Sequence, residues 1–497
     1  MASTEQKSSA VRIGLKAFIL SALIILLLMM FSGLLTILLP SGEFQRMTEN
    51  GKTLVVPGTY SVIEKTNYPL WRWFTAPVEV LFAPGNLALI TIIIFIISVG
   101  GSIAILEGAG VMEELIRLLV RRFSQRKYLL VALLIFFFMS VSSFIGVYEG
   151  LVPMIIFLVP LSISLGWDSL TGLGISLLPL SFGFASAVTN PFTIAVAQRI
   201  ADLPLFSGSW LRIIFFFTVY ILVTAFVIFH AKGVEKNPER SLSYQDDERI
   251  RQHQAAQELS DARQGTTAGS AQNRNDHLKS RALAWFGFCV ALAMAIVFAT
   301  ARSPGLSDLA FPIMALLFLV GGIGGGIIAR MSGKEIVKSF LQGALNLAPG
   351  ILLILMAYSV KHIILSGKIM DTILYGAANL IQGSQPLAAA FLVYATTLVM
   401  NFFVGSASAK AFLMMPLLSP LADLVGITRQ TAVLAFDFGD GFSNMFFPTN
   451  ALLLIALSFT VISYPKWLAW TWKLQIMILA ITSAFLALAV AIGFGPF

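Results

Sequence analysis

A polytopic all-α membrane protein is predicted, with about nine transmembrane helices and two re-entrant hairpins arranged as inverted-topology repeats. Three observations predict it. The 497-residue chain is 57% hydrophobic and only 12% charged, whereas a soluble domain carries roughly 25% charged residues. Apolar runs of about 20 residues, enough to cross a bilayer, recur along its whole length. Two segments, 142–198 and 401–457, carry the same helix breakers at one offset. A β-barrel would need short alternating segments instead.

The repeat is read from four pairs. Gly146 matches Gly405, Pro160 matches Pro420, Gly166 matches Gly426, and Thr189-Asn190 matches Thr449-Asn450. The offset is 259 for the first pair and 260 for the others. Hydrophobic segments interrupted by Gly, Pro and polar residues at matching places in two halves point to the substrate site of a secondary transporter.

The spans follow in order. They are expected at 14–40, 86–106, 169–199, 210–231, 282–301, 309–329, 349–366, 428–459 and 469–494. The first run is too long for a cleaved signal h-region, so a retained span is expected. Two further stretches, 128–165 and 387–425, have polar, Gly-containing centres, SSFIGVYEG and NFFVGSASAK. Each is too long for one span and breaks in its middle, which predicts a re-entrant hairpin. Irregular backbone at membrane depth is tolerated only under cover of protein or a watery cavity.

Lys and Arg set the orientation. They cluster before the first span, at 117–127, in the loop 232–281 and at 330–338. Nine spans and two hairpins put all of these on one side, which is then cytoplasmic, with the N-terminus. The C-terminus falls on the periplasmic side. The first hairpin opens to the cytoplasm and the second outward, so the two units run in opposite directions. The net charge of +8 is explained by these topogenic loops, and no nucleic-acid partner is expected. The expected division is an N-terminal scaffold helix and outer segment (1–85), a first repeat (86–231), a linker (232–281), scaffold helices (282–348) and a second repeat (349–497). The linker is polar and Gln/Ala/Ser-rich, which predicts a mobile connection with a short surface helix. Residues 110–127 suit a basic interfacial helix, YPLWRWF at 68–74 suits an aromatic belt, and the glycine run at 321–328 suits close helix packing.

The chemistry concentrates at the breaks. LAFDFGDGFSNMFFPTN, 434–450, sets Asp437, Asp440, Asn444, Thr449 and Asn450 inside an apolar helix. A lone carboxylate at mid-depth costs ~2.5–3.5 kcal/mol on insertion scales and needs a partner or water. The two acids are three apart and share a helix face. Gly439 and Gly441 weaken the helix and Pro448 breaks its ladder. Freed carbonyls can take Na⁺, and half-helix N-termini can face an anion. The first copy offers Ser186, Thr189 and Asn190 before Pro191, with Glu149 near the hairpin tip and no acid in the break. Lys410, in the second hairpin, either pairs with Asp440 or meets a substrate carboxylate. The cation-coupling candidates are Asp440, Asp437, Asn190 and Asn450. No metal site beyond Na⁺ is expected. The single Cys289 excludes an intramolecular disulfide, and HExxH, GxxxxGK[ST] and a Ser/His/Asp set are all missing from the sequence. An enzyme is not expected, and the cofactor expectation is none, with Na⁺ or H⁺ as coupling ion.

The stretches TNPFTIAVAQRIADLPLFSG, 189–208, and FGDGFSNMFFPTN, 438–450, closely resemble motifs of the YfcC-type carriers. These are bacterial inner-membrane proteins related to DcuC C4-dicarboxylate carriers and arginine–ornithine antiporters, within the ion-transporter superfamily. The resemblance covers nearly the whole chain. It implies a homodimer with scaffold and transport domains moving in an elevator fashion. It implies a site between the hairpin tips and broken helices. On this sequence that site is Gly146 to Glu149, Ser186 to Asn190, Gly405 to Lys410 with Ser406 and Ser408, and Asp440 to Asn450. The family pattern has Gln where this chain has Asp437, an extra acid that bears on substrate charge or coupling.

The expected function is secondary-active transport of a small charged organic solute across the bacterial inner membrane. An amino acid, basic and exchanged or cation-coupled, comes first. A C4-dicarboxylate carried with Na⁺ or H⁺, Lys410 serving as counter-charge, is the alternative. An ion channel is the alternative of another class, and two opposed hairpins with buried acids argue against a continuous pore. The expected partners are the small-molecule substrate, the lipid bilayer and a second copy of the chain.

Overall fold

The computed structural model describes residues 15–495 except 50–51, 67, 84–86, 113, 116–117, 119–123, 249, 253–270 and 301–309. Helices dominate. Nine of them, among the described residues, are long and apolar enough to cross a membrane. These are not the nine expected spans. Lys127–Ile145, Pro386–Phe403 and Ala407–Val425 lie in the two stretches expected to form hairpins. The expected spans at 169–199 and 428–459 are each split instead, and within 309–329 the helix Pro312–Ile328 is one of the shorter apolar helices. At 1.5 Å per residue, a helix of 18 or 19 residues reaches close to the full hydrocarbon thickness of about 30 Å.

The helix breaks fall where the breakers lie. Lys127–Ser140 continues as one wide turn, Val141–Ile145, and stops at Gly146, whose φ is +77°. The chain resumes as Glu149–Met154 and Ile155–Ser164. Ser169–Ala185 stops before Pro191 and resumes as Ile194–Ile200. The second copy repeats this with Pro386–Phe403, Ala407–Val425, Arg429–Gly441 and Ala451–Ser458.

Packing divides into neighbourhoods. Ala271–Thr300 and Gly333–Asn346 lie against Ala310–Ile328 and Leu87–Gly108, and Leu15–Leu38 lies against Ala348–Ser366. The glycine run works by close approach, since a Cβ on Gly322 would stand 2.7 Å from the Ser102 Cα. The broken helices pack with Lys127–Ser140, Pro386–Phe403, Ala407–Val425, Ser209–Lys236 and Tyr464–Ala491, and Ala451–Ser458 also packs on Ala348–Ser366. Gly333–Asn346 begins with a capping box, Ser332 and Glu335, and exposes Val337, Leu341 and Leu345, as suits an interfacial helix. Of the expected interfacial segment 110–127, residues 113, 116–117 and 119–123 lie outside the described residues.

The all-α expectation misses four short strands. Gly42–Glu43 pairs antiparallel with Ser61–Val62, and Arg46–Glu49 with Lys52–Val55. These ribbons are fastened to helix Met370–Gln382. Asp371 accepts from Arg46 and from the Phe44 N–H, and Tyr60 stacks on Tyr375 at 4.1 Å.

Of the expected linker, 249 and 253–270 lie outside the described residues. Its start is docked, because two carboxylates compete for the N-terminus of Ser169–Ala185. Asp168 caps that helix by accepting from the Thr171 N–H at 2.8 Å, and also binds His230 at 2.9 Å and Ser241 at 2.5 Å. Asp247 accepts from the Ser169 N–H at 3.0 Å, the Ser169 hydroxyl and the Ser243 hydroxyl. Helix N-termini favour negative groups, and here a linker side chain supplies one. Arg251 and Lys466 complete the fastening through Trp167 O and Asp246.

Burial pushes the Asp247 carboxyl up to about 6, against the hydrogen bonds of Ser169 and Ser243. A carboxyl raised in the folded state favours folding fully below its unfolded value and loses that contribution as pH rises through its folded value. Docking of 241–252 is therefore expected to loosen between roughly pH 4 and 6 as Asp247 ionises. Asp168 moves the other way. Burial raises it, but His230, Ser241 and Thr171 outweigh burial and hold it low. Amide exchange across 241–252 should accelerate from pH 5 to 7 after correction for intrinsic rates. Asp247→Asn should flatten that dependence.

Candidate functional site

An interrupted helix inside an apolar body frees backbone groups that must be paired. In the first break the pairing comes from the turn at 141–148 and from helix Ser209–Lys236. Ser143 donates its hydroxyl to Ser186 O at 2.7 Å, and its carbonyl accepts from the Val188 N–H at 3.1 Å. Thr189 donates to Phe144 O at 2.9 Å. Arg212 reaches in from Ser209–Lys236 to Val188 O at 3.2 Å and Ser207 O at 3.0 Å. In the second break Trp467 donates to Met445 O at 2.7 Å and Tyr464 to Phe446 O at 2.8 Å.

The two copies share bonds as well as breakers. Ser142 Oγ donates to Leu180 O, and Asn401 Nδ2 donates to Asp440 O, at offsets of 259 and 260. Asn190 Oδ1 accepts from the Phe192 N–H at 2.8 Å, and Asn450 Oδ1 from the Leu452 N–H at 2.9 Å. Each Asn thus turns the chain into the second half of its helix. The broken helices meet directly. A Cβ on Gly441 would stand 2.1 Å from the Ala185 Cα, and Phe182 packs on Phe442 at 6.1 Å.

One acid is paired with a base, and the other feels the charge of a second base without forming a close ion pair. Lys410 is fully buried, its Nζ lies 2.5 Å from Asp440 Oδ1, and it donates to Asn401 Oδ1. Asn401 also donates to Ser443 Oγ at 2.6 Å and Asn444 Oδ1 at 3.0 Å. Asn450 joins this network through Asn444 at 2.9 Å. Asp437, fully buried, interacts electrostatically with the Arg212 guanidinium. The Thr193 hydroxyl and the Ala187 N–H face its carboxylate, yet neither oxygen has a well-aligned hydrogen bond. Between them, two acids and two bases balance the charge.

The expected residues therefore separate into three sets, with Asp437 apart from them under the influence of Arg212. Asp440, Lys410, Asn444 and Asn450 form one network. Gly146, Ser186, Thr189 and Asn190 lie together at the first break, where a Cβ on Gly146 would strike Asn190 Oδ1 at 2.4 Å. Gly405 and Ser406 are exposed, Ser408 and Thr449 are half-buried, and Ser406 caps Ala407–Val425 by accepting from the Ala409 N–H. The side chain of Glu149 lies outside the described residues. Residues not singled out by sequence are Arg212, Asn401, Tyr464 and Trp467. Arg212 had a readable signal, a lone charge within an apolar span. Gln198 and Gln430, 3.2 Å apart, add a link between the copies.

Gly441→Ala should force the two broken helices apart and cost about 1–3 kcal/mol, read as a lowered Tm. Gly146→Ala combines a left-handed φ with displacement of Asn190, and should reduce solute binding in a ligand thermal-shift measurement.

The chain is 31% identical over 388 residues, 76% of its length, to the Escherichia coli K12 protein named "Putative basic amino acid antiporter YfcC", of which 73% is covered. It is 26% identical to an uncharacterized Haemophilus influenzae protein, covering 89% of this chain and 82% of that one. Among solved structures, MtrF of Neisseria gonorrhoeae, described with a class of antimetabolite efflux pumps, aligns over 95% of each chain at 17% identity and TM-score 0.41. The DcuC family, described as C4-dicarboxylate anaerobic carrier, matches residues 18–491. With its apolar spans, the chain is a multi-pass membrane protein, and it belongs to the DcuC family of carriers.

Proposed function

We propose that this protein is a secondary-active carrier for a small carboxylate-bearing organic solute in the bacterial inner membrane. A basic amino acid, exchanged or moved with a cation, is the first reading. The observation that carries it is the second break. There the N-terminus of Ala451–Ser458, capped by Asn450, and that of Ala407–Val425, capped by Ser406, adjoin the half-exposed Thr449 and the exposed Gly405. Half-helix N-termini favour an anionic group, here a substrate carboxylate. Asp437, an acid without aligned hydrogen bonds, is the group for an ammonium or coupling cation. The name of the Escherichia coli relative supports the amino-acid class.

The motion proposed is alternating access of the elevator type. The hairpins re-enter from opposite faces, the repeats are inverted, and two copies associate. The N-terminus is cytoplasmic and the C-terminus periplasmic. This rests on the basic loops and on the bonds shared by the two copies.

A C4-dicarboxylate is the second reading. One observation favours it: Asp440 is already paired with Lys410, and Asp437 feels the charge of Arg212, which offsets the negative charge offered to a cationic side chain. The family description points the same way.

Counterflow in proteoliposomes separates these readings. Saturable exchange of labelled arginine against internal arginine, but not succinate, is expected. Succinate counterflow alone would move the substrate to the second reading. Flux without saturation or counterflow would indicate a channel. Asn450→Ala should raise the KM for the solute by about 10-fold or more, the equivalent of one hydrogen bond to a charged group. Its Tm should fall only slightly, by the loss of one cap.

A further inference from the structure

Lys410 carries its charge into a nest of oxygens. Its Nζ meets the Asp440 carboxylate and Asn401 Oδ1. Ser443 Oγ and Asn444 Oδ1 accept from Asn401 Nδ2 and so hold its Oδ1 toward the ammonium. A carboxylate and an oriented carboxamide oxygen are donor types that suit a hard cation.

The first copy supplies an internal comparison. At the offsets of the shared bonds, Lys410 corresponds to Leu151 and Asp440 to Leu180, both buried leucines. One copy holds an acid with an ammonium, and the other holds neither. A buried ion pair seldom stabilises more than apolar residues of similar volume, and the first copy already shows the apolar solution in the same setting. Stability alone does not account for the pair.

Building on the carrier reading, we infer that the Lys410 ammonium is a tethered counter-ion occupying an alkali-cation position between Asp440 and Asn401 Oδ1, with Ser443 and Asn444 fixing the Asn401 amide. In this half of the protein no Na⁺ is taken from solution. Shortening Lys410 empties the position and opens it to Na⁺. Removing Asp440 instead leaves an ammonium without its carboxylate, which Na⁺ cannot repair.

The test uses purified full-length protein, with Tm followed through a titration of NaCl against choline chloride at constant ionic strength and fixed pH. Lys410→Ala and Lys410→Ser should each gain a saturable, Na⁺-specific rise of about 2 °C or more that the wild type lacks. Asp440→Asn should not gain it. Neither should the double variant Lys410→Leu with Asp440→Leu, which reproduces the first copy. The inference is overturned if the two single Lys410 variants respond to Na⁺ no more than wild type. It is equally overturned if the response survives in the double variant, or if neither Lys410 variant is recovered folded in NaCl. The assay contains no organic solute, so its failure is separate from a failure of counterflow, which would count against the carrier reading.

Discussion

A helix interrupted at membrane depth has to find partners for the backbone groups it releases, and in lipid water does not provide them. In this protein the partners are side chains from distant parts of the chain. Ser143 and Arg212 serve the first break, and Trp467, Tyr464 and Asn401 serve the second. The turns at 141–148 and 401–406, the broken helices and the flanking helices are therefore tied together by these bonds. Loss of any one partner would leave a buried carbonyl or amide unpaired, which is more costly than losing an average hydrogen bond.

The two copies solve this problem alike in the backbone and differently in charge. Asn190 and Asn450 turn the chain in the same way, and Ser142 and Asn401 reach equivalent carbonyls. The charged groups break the symmetry. Both buried acids lie on Arg429–Gly441. Their bases come from elsewhere, Lys410 from the adjoining helix Ala407–Val425 and Arg212 from the helix that follows the first copy. Asp437 thus joins the second break to the element that staples the first, and the electrostatic balance of the site spans both copies.

Much of the fold was legible because lipid imposes simple rules. Gly146, Pro191, Gly405 and Pro448 marked the interruptions, and the acids stood out in an apolar run. The pairing of those acids was not legible. Arg212 lies 225 positions before Asp437, and no periodicity records such a contact. Asn401, Tyr464 and Trp467 look like ordinary polar or belt residues until the carbonyls they meet are known. The outer ribbons were missed because strands of two to four residues lie below any alternation signal. The docked linker was missed because its composition is that of a free segment. Only the specific spacing of Ser241, Ser243 and Asp247 fastens it to a helix end.

The indole of Trp467 has a consequence beyond architecture. Its N–H ends on the carbonyl of Met445, at the point where the second helix stops, and the ring is completely buried. The emission of a tryptophan depends on what its N–H bonds to and on the polarity around it. The chain contains eight tryptophans. A version keeping Trp467 alone would carry a native optical probe inside the break, with no dye attached. Any movement that parts Met445 from the indole would shift its colour, so opening and closing of this joint can be timed in the light the protein itself emits.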